Sequence, residues 1–189
     1  MVFSSTIFLF LFLPVTLLGH LLLGPRLRNL FLLGMSLFFY AWGEGFYVLL
    51  MIFSILLNYG FGLALNRAMR DGARATSARF LLFAAVACNL LLLFYFKYAN
   101  FLVENLNLLL SRAGLGTISH SSVHLPIGIS FFTFQAISYV IDIYRHDART
   151  QKSLIDGGLY IALFPQLIAG PIVRYHDIEK QIAERKLDS

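Results

Sequence analysis

The sequence predicts an all-α fold, a polytopic transmembrane helical bundle with one broken, re-entrant helix. Three observations carry this expectation. Hydrophobic residues make up 58% of the 189 and charged residues only 13%. A soluble domain carries about 25% charged residues, so the charge present is too sparse to cover a surface facing water. The stretch Val2–Leu23 contains no charged residue, and its length of about 33 Å suffices to cross a bilayer core of about 30 Å. Finally, the apolar stretch Ile155–Val173 is interrupted by Pro165 and by Gly170-Pro171. Such breaks are tolerated at membrane depth only where protein or a water-filled cavity surrounds the backbone.

The first element is the span Val2–Leu23. A cleaved signal peptide requires a basic leading region and a small-residue cleavage site. Met1-Val2-Phe3-Ser4-Ser5 precedes this run and Gly24-Pro25-Arg26 follows it, so it reads as a retained span. The second span starts after Asn29 and ends at the interfacial aromatics Tyr40 and Trp42. Gly43-Glu44-Gly45 is a turn that places Glu44 in water. The third span, Phe46 to Leu65, leads into an Arg-rich loop over Asn66–Arg79. The fourth, Phe80–Phe96, stops at Lys97-Tyr98. Asn100–Leu110 mixes Glu and Asn with Leu at helical spacing, as in a helix lying at the interface. Arg112–Leu125 is a polar loop. The fifth span runs from Pro126, suited to a first helical turn, to Tyr144. Ile155–Val173 is the broken element, and the tail from Arg174 is polar. The whole reads as a single membrane domain over residues 1–189, with about five full spans and one re-entrant segment.

Charge placement sets the expected topology. The formal net charge is +5, but the cations cluster in short loops, which fits the positive-inside pattern and not a nucleic-acid surface. An outside N-terminus puts Arg26/Arg28, Arg67–Arg79 and Arg145–Lys152 in the cytoplasm. The tail carries Arg174, Lys180, Arg185 and Lys186, and it reaches that side only if Ile155–Val173 dips in and returns. Cys88, the one cysteine, excludes an internal disulfide.

Several residues invite a functional reading. On the fifth span Gly128, Gln135, Ser138, Asp142 and Arg145 share one helical face. Asp142 and Arg145, at i,i+3, suit an ion pair near the interface; the same face suits the wall of a polar substrate funnel. Ser54, Asn58, Gly62 and Asn66 repeat every four residues, a stripe that lets membrane helices approach and hydrogen-bond. Of the five histidines, His20, His120, His124, His146 and His176, none has a carboxylate or second histidine at a compelling metal spacing; His120 and His124, at i,i+4, would need a helix, and their Ser-rich context argues against one. No nucleophile elbow, phosphate loop or metal motif is present.

Six phrases recur in a familiar order: Met1 to Ser5, Phe39-Tyr40-Ala41-Trp42, Tyr95 to Phe101, Leu125 to Phe131, Ile141 to Arg145, and Phe164 to Tyr175. Over essentially the whole chain they resemble the N-terminal half of bacterial membrane-bound O-acyltransferases, in particular the alginate O-acetyltransferase branch. The resemblance implies a multi-pass enzyme of the bacterial inner membrane with a buried channel. It would take an acetyl group from a cytoplasmic acyl donor, a co-substrate and not a bound cofactor, towards an exported polysaccharide or an extracytoplasmic modification protein. The family's signature histidine lies in the C-terminal half, beyond Ser189. No catalytic residue and no metal ligand is therefore carried over, and the 189 residues alone are expected to be inactive. Gln135, Asp142, Arg145, Pro165, Gln166, Gly170, Pro171 and Arg174 are the candidates to line the channel. The lipid bilayer is the expected environment and nucleic acid is not an expected partner. The other open reading is a non-catalytic membrane subunit or scaffold of a polysaccharide export or modification complex.

Overall fold

A computed structural model describes residues 5–70, 75–151, 153–169 and 174–177. Among them every regular element is helical. The order is a π-helical turn Phe8–Phe12, α1 Leu13–Leu22, α2 Pro25–Glu44, a 3-10 turn Gly45–Tyr47, α3 Val48–Arg70, α4 Ala75–Arg112, α5 Ile129–Tyr144, α6 Leu154–Ala162 and α7 Phe164–Ala169. The helical stretches Leu27–Arg70 and Thr76–Arg112 are long and apolar enough to cross a membrane; Phe8–Leu22, Ile129–Tyr144 and Leu154–Leu167 are shorter apolar helices. Their outward faces carry large apolar side chains, among them Phe10, Leu22, Phe80 and Phe83. So much exposed apolar surface fits a bilayer and not water.

Local chemistry explains where the elements begin and end. Pro14 has no N–H to give a carbonyl four residues back, and the widened turn over Phe8–Phe12 accommodates it. Thr16 donates its hydroxyl hydrogen to the Phe12 carbonyl at 2.7 Å in the same region. Pro25 sits in the first turn of α2, where a missing N–H costs nothing. Gly45 adopts φ +59, which suits glycine, and ends α2 at the turn the sequence predicts. Ser153 caps α6 by accepting the N–H of Asp156, and Asp156 in turn accepts from the Asn29 side chain on α2 at 2.7 Å.

Small residues then set the helix approaches. Gly158 on α6 sits against Ile55 of α3 and Leu33 of α2, where an added Cβ would lie 3.2–3.5 Å away. Gly62 on α3 leaves space for the Tyr139 ring of α5, and a Cβ there would come within 2.5–2.9 Å of it. Asn58 and Asn89 exchange side-chain hydrogen bonds at 3.1 and 2.7 Å between α3 and α4. Both also donate to carbonyls one turn back, of Ser54 and Ala85. Ser54, Asn58 and Gly62 are buried, so this stripe packs helices together, as its spacing suggests.

Several boundaries differ from the sequence expectation. Arg28, Arg67, Arg70 and Arg79 belong to helices and not to loops. Helix α4 does not end at Lys97-Tyr98: it runs without interruption to Arg112, about 57 Å in all. No Gly or Pro occurs between Ala75 and Arg112, so rising polarity marks the exit from an apolar zone and not the end of the helix. The fifth helix begins at Ile129, three residues after Pro126, and Gly128 (φ +78) precedes it. Glu44 is not in water; its side chain is 5% exposed and bonded to His124.

Candidate functional site

Within the predicted broken segment the described residues form two short helices. α6 is about 14 Å long and α7 about 9 Å, so neither crosses a core of about 30 Å. The break falls at Leu163 (ψ 113), two residues before Pro165. A helix end inside an apolar bundle needs partners for its free N–H groups. Phe164 donates its N–H to the buried Ser36 hydroxyl of α2 at 3.3 Å. Pro165 has none to place, and Gln166 and Leu167 donate to the Leu163 carbonyl at 3.0 and 3.3 Å. The Phe164 ring completes a cluster with Phe8, Phe12 and Phe39, with centroids 5.3–6.1 Å apart. The break is thus held from outside by aromatic packing and one hydroxyl.

The chain returns to the end from which it set out. The loop after α5 leads into α6, and α7 reaches the start of α5, where the Leu167 carbonyl lies against Gly128. Residues 174–177 are back beside the end of α5. There Asp142 accepts the His176 N–H at 3.1 Å, and Tyr175 donates its hydroxyl hydrogen to the Arg149 carbonyl at 3.0 Å. The Tyr175 ring is fully buried between Tyr139 and Tyr160, at centroid distances of 4.9 and 5.1 Å.

The candidate residues fall into two groups. Gln135, buried on α5, donates to the Gln166 side chain of α7 at 2.9 Å, and its own carbonyl oxygen is enclosed without a hydrogen-bond partner. Pro165 is exposed on the same short helix. At the other end of α5, Asp142, Arg145 and Arg174 line one groove of about 380 Å³ with Asp147, His176 and Asp177. Gly170 and Pro171 lie outside the described residues. The ion pair Asp142–Arg145 does not form. Arg145 pairs with Asp147 at 3.2 Å, and Asp142 is taken up by the His176 N–H and by Ser138, which donates at 3.4 Å.

Asp147 and His176 were not singled out by the sequence face, because they reach the groove from a loop and from the returning segment. His176 Nδ1 lies 2.6 Å from the Asp147 carbonyl; it must carry a hydrogen there, which leaves the lone pair of a neutral ring on Nε2. A second groove, of about 610 Å³, shares Asp147 and His176 and continues past Asn66, His146 and Arg149. Across the two grooves three arginines (Arg145, Arg149 and Arg174) face three aspartates (Asp142, Asp147 and Asp177), a mixed charge suited to holding a polar ligand. Among the described residues no cluster of three or more His, Cys, Asp or Glu side chains could hold a metal ion.

Comparison with known proteins agrees with the resemblance in the motifs. The chain is 45% identical over 185 residues to Probable alginate O-acetylase AlgI of Pseudomonas aeruginosa, covering 98% of this chain and 35% of that protein. It is 45% identical to the protein of the same name from Pseudomonas putida, covering 98% and 38%. Peptidoglycan O-acetyltransferase of Helicobacter pylori matches at 31% over 217 residues, covering 98% and 39%. The chain therefore spans little more than a third of the length of the curated relatives it matches. No family model matches it, and no solved structure gives a significant match.

Proposed function

We propose that this chain, a homologue of the alginate O-acetylases, is part of a membrane-bound O-acyltransferase that O-acetylates an exported polysaccharide such as alginate. The observation that carries the reading is the 45% identity over 98% of the chain, which includes the broken α6–α7 segment and the face of α5 that it meets. In this reading the protein is a multi-pass protein of the bacterial inner membrane. The Asp142–Arg145–Arg174 groove lies on the cytoplasmic side, where an acyl donor enters, and Gln135, Pro165 and Gln166 stand further along the acyl path. The buried, unsatisfied oxygen of Gln135 supplies an acceptor there for a donor group on a ligand, since such an atom is costly to leave unpaired. These residues bind and orient. Extracytoplasmic acetyl-transfer or polysaccharide-modification proteins are the partners this reading implies.

The test is a chimera. The 185 matched residues replace their counterparts in the Pseudomonas aeruginosa relative, and ester-linked acetate on exported alginate is measured in a strain lacking the native gene. The chimera restores acetylation, and Gln135→Leu in it lowers the acetate at least about tenfold at equal membrane abundance, as loss of one buried polar contact does, while Arg174→Gln, at an exposed position of the groove, also lowers it. A chimera that is abundant in the membrane yet transfers no acetate contradicts the proposal and favours a scaffold subunit.

A further inference from the structure

The end of the bundle opposite the groove carries a second polar assembly. Residues 115–127 form an extended strap laid along the outer third of α4. Asn107 donates to the Ile118 carbonyl at 3.0 Å and accepts the Ile118 N–H at 2.7 Å. Asn100 does the same for Val123, at 2.8 Å in both directions, and its oxygen also meets His120 Nε2 at 3.2 Å. Each asparagine thus pairs with both backbone groups of one strap residue, as a neighbouring strand would. Asn100 and Asn107 are two helical turns apart, which puts both on one face of α4.

The strap's last fastening differs in kind. His124 Nε2 lies 2.9 Å from the Glu44 carboxylate, with the histidine side chain 59% exposed and the glutamate side chain only 5%. The imidazole also packs at a tilt against the Tyr47 ring, with centroids 5.2 Å apart and planes 40° from parallel. Around the pair, α2 contributes Tyr40, close enough to sense the Glu44 charge. The 3-10 turn contributes Tyr47, and the strap contributes His120. From α4 come Phe96, packed on Tyr47, and then Lys97, drawn over the Tyr98 ring. A nearly buried carboxylate facing an open imidazole is bound most strongly when the ring carries both protons, since a charge-assisted hydrogen bond is about twice as strong as a neutral one. Four residues further along, Gly128 abuts the α7 backbone, 3.2 Å separating its would-be Cβ from the Leu167 carbonyl.

We propose that the strap 115–127 is a proton-operated latch, closed by the His124–Glu44 bond when the imidazole is charged and loosened when it is neutral. The residue that follows the strap, Gly128, lies against α7. This inference stands on the strap geometry alone and does not depend on acetyl transfer.

The test uses the full chain in nanodiscs, with Ser121→Cys in a Cys88→Ala background and Arg70→Cys as a reference for thiol reactivity. The ratio of maleimide labelling rates, Ser121 over Arg70, rises roughly fivefold between pH 5 and 8.5, the ratio that separates a charge-assisted from a neutral hydrogen bond. Trp42, the one tryptophan and two residues from Glu44, shifts its fluorescence over the same range. Both transitions disappear in His124→Asn and in Glu44→Gln and persist in His120→Asn. A labelling ratio that stays flat in the native chain, or a transition that survives in His124→Asn or Glu44→Gln, overturns the proposal. Glu44→Gln keeps a hydrogen-bonding group at that position and covers the case in which His124→Asn fails to fold.

Discussion

Buried polar side chains in this bundle are few. Among the described residues those of Ser36, Asn58, Asn89 and Gln135 find partners on a different helix, whereas Thr16 bonds within its own and the Thr133 hydroxyl has none. Asn58 and Asn89 illustrate the first kind: each carboxamide fills the other's hydrogen-bonding capacity inside an apolar interface. Replacing one alone strands the other, which costs about 1–3 kcal/mol. Asn58→Leu is therefore expected to lower stability to denaturation in mixed micelles by that amount. The double variant Asn58→Leu/Asn89→Leu loses less than the sum of the two single changes. Strict additivity would show that the pair is a coincidence of packing. The stripe Ser54-Asn58-Gly62 was legible in the sequence because its members share one helix. The Glu44–His124 and Gln166–Gln135 contacts were not, since their members lie 80 and 31 residues apart and no periodicity links positions on separate elements. Ser36 was invisible for the same reason: a lone serine in an apolar helix announces nothing until the break it supports is placed beside it.

At the scale of elements, the breakers were more informative than the composition. Gly45 ends α2, and the Pro165 region interrupts the last apolar stretch, though the bend falls at Leu163. Polarity alone misled at α4, where Lys97, Asn100 and Asn107 sit on an unbroken helix. It misled again at Glu44, which finds its partner in the strap. Gly128 has two requirements at once, a positive φ and closeness to α7. A left-handed conformation costs an ordinary residue about 1–2 kcal/mol. Gly128→Ala should lose at least that much stability in the same denaturation assay. Gly116→Ala, at a glycine with open space around it, should change stability by less than about 0.5 kcal/mol, as surface substitutions usually do. Equal losses at both positions would mean that the start of α5 does not depend on its left-handed residue.

For the whole molecule, the positions of the chain ends of α5, α6 and the 174–177 segment carry the topology. The contacts of Tyr175 and His176 with Arg149 and Asp142 bring the chain back to the side on which α6 begins. A membrane around the bundle would then leave Arg70, Arg145 and Arg174 facing one compartment and the strap facing the other. That arrangement would satisfy the positive-inside bias, the expectation drawn from the charges and the Gly/Pro break together. The groove itself was only half foreseen, because Asp147 and His176 enter it from segments that share no helical face with Asp142. The most direct measurement is two-sided cysteine labelling in inner-membrane vesicles and whole cells, with Cys88→Ala throughout. Asp177→Cys and Arg70→Cys should react only when the cytoplasmic face is open to the reagent, and Ser121→Cys only from outside. Labelling of Asp177→Cys from the same side as Ser121→Cys would show that residues 154–173 cross the membrane, and would contradict the re-entrant arrangement on which the proposed acyl path depends.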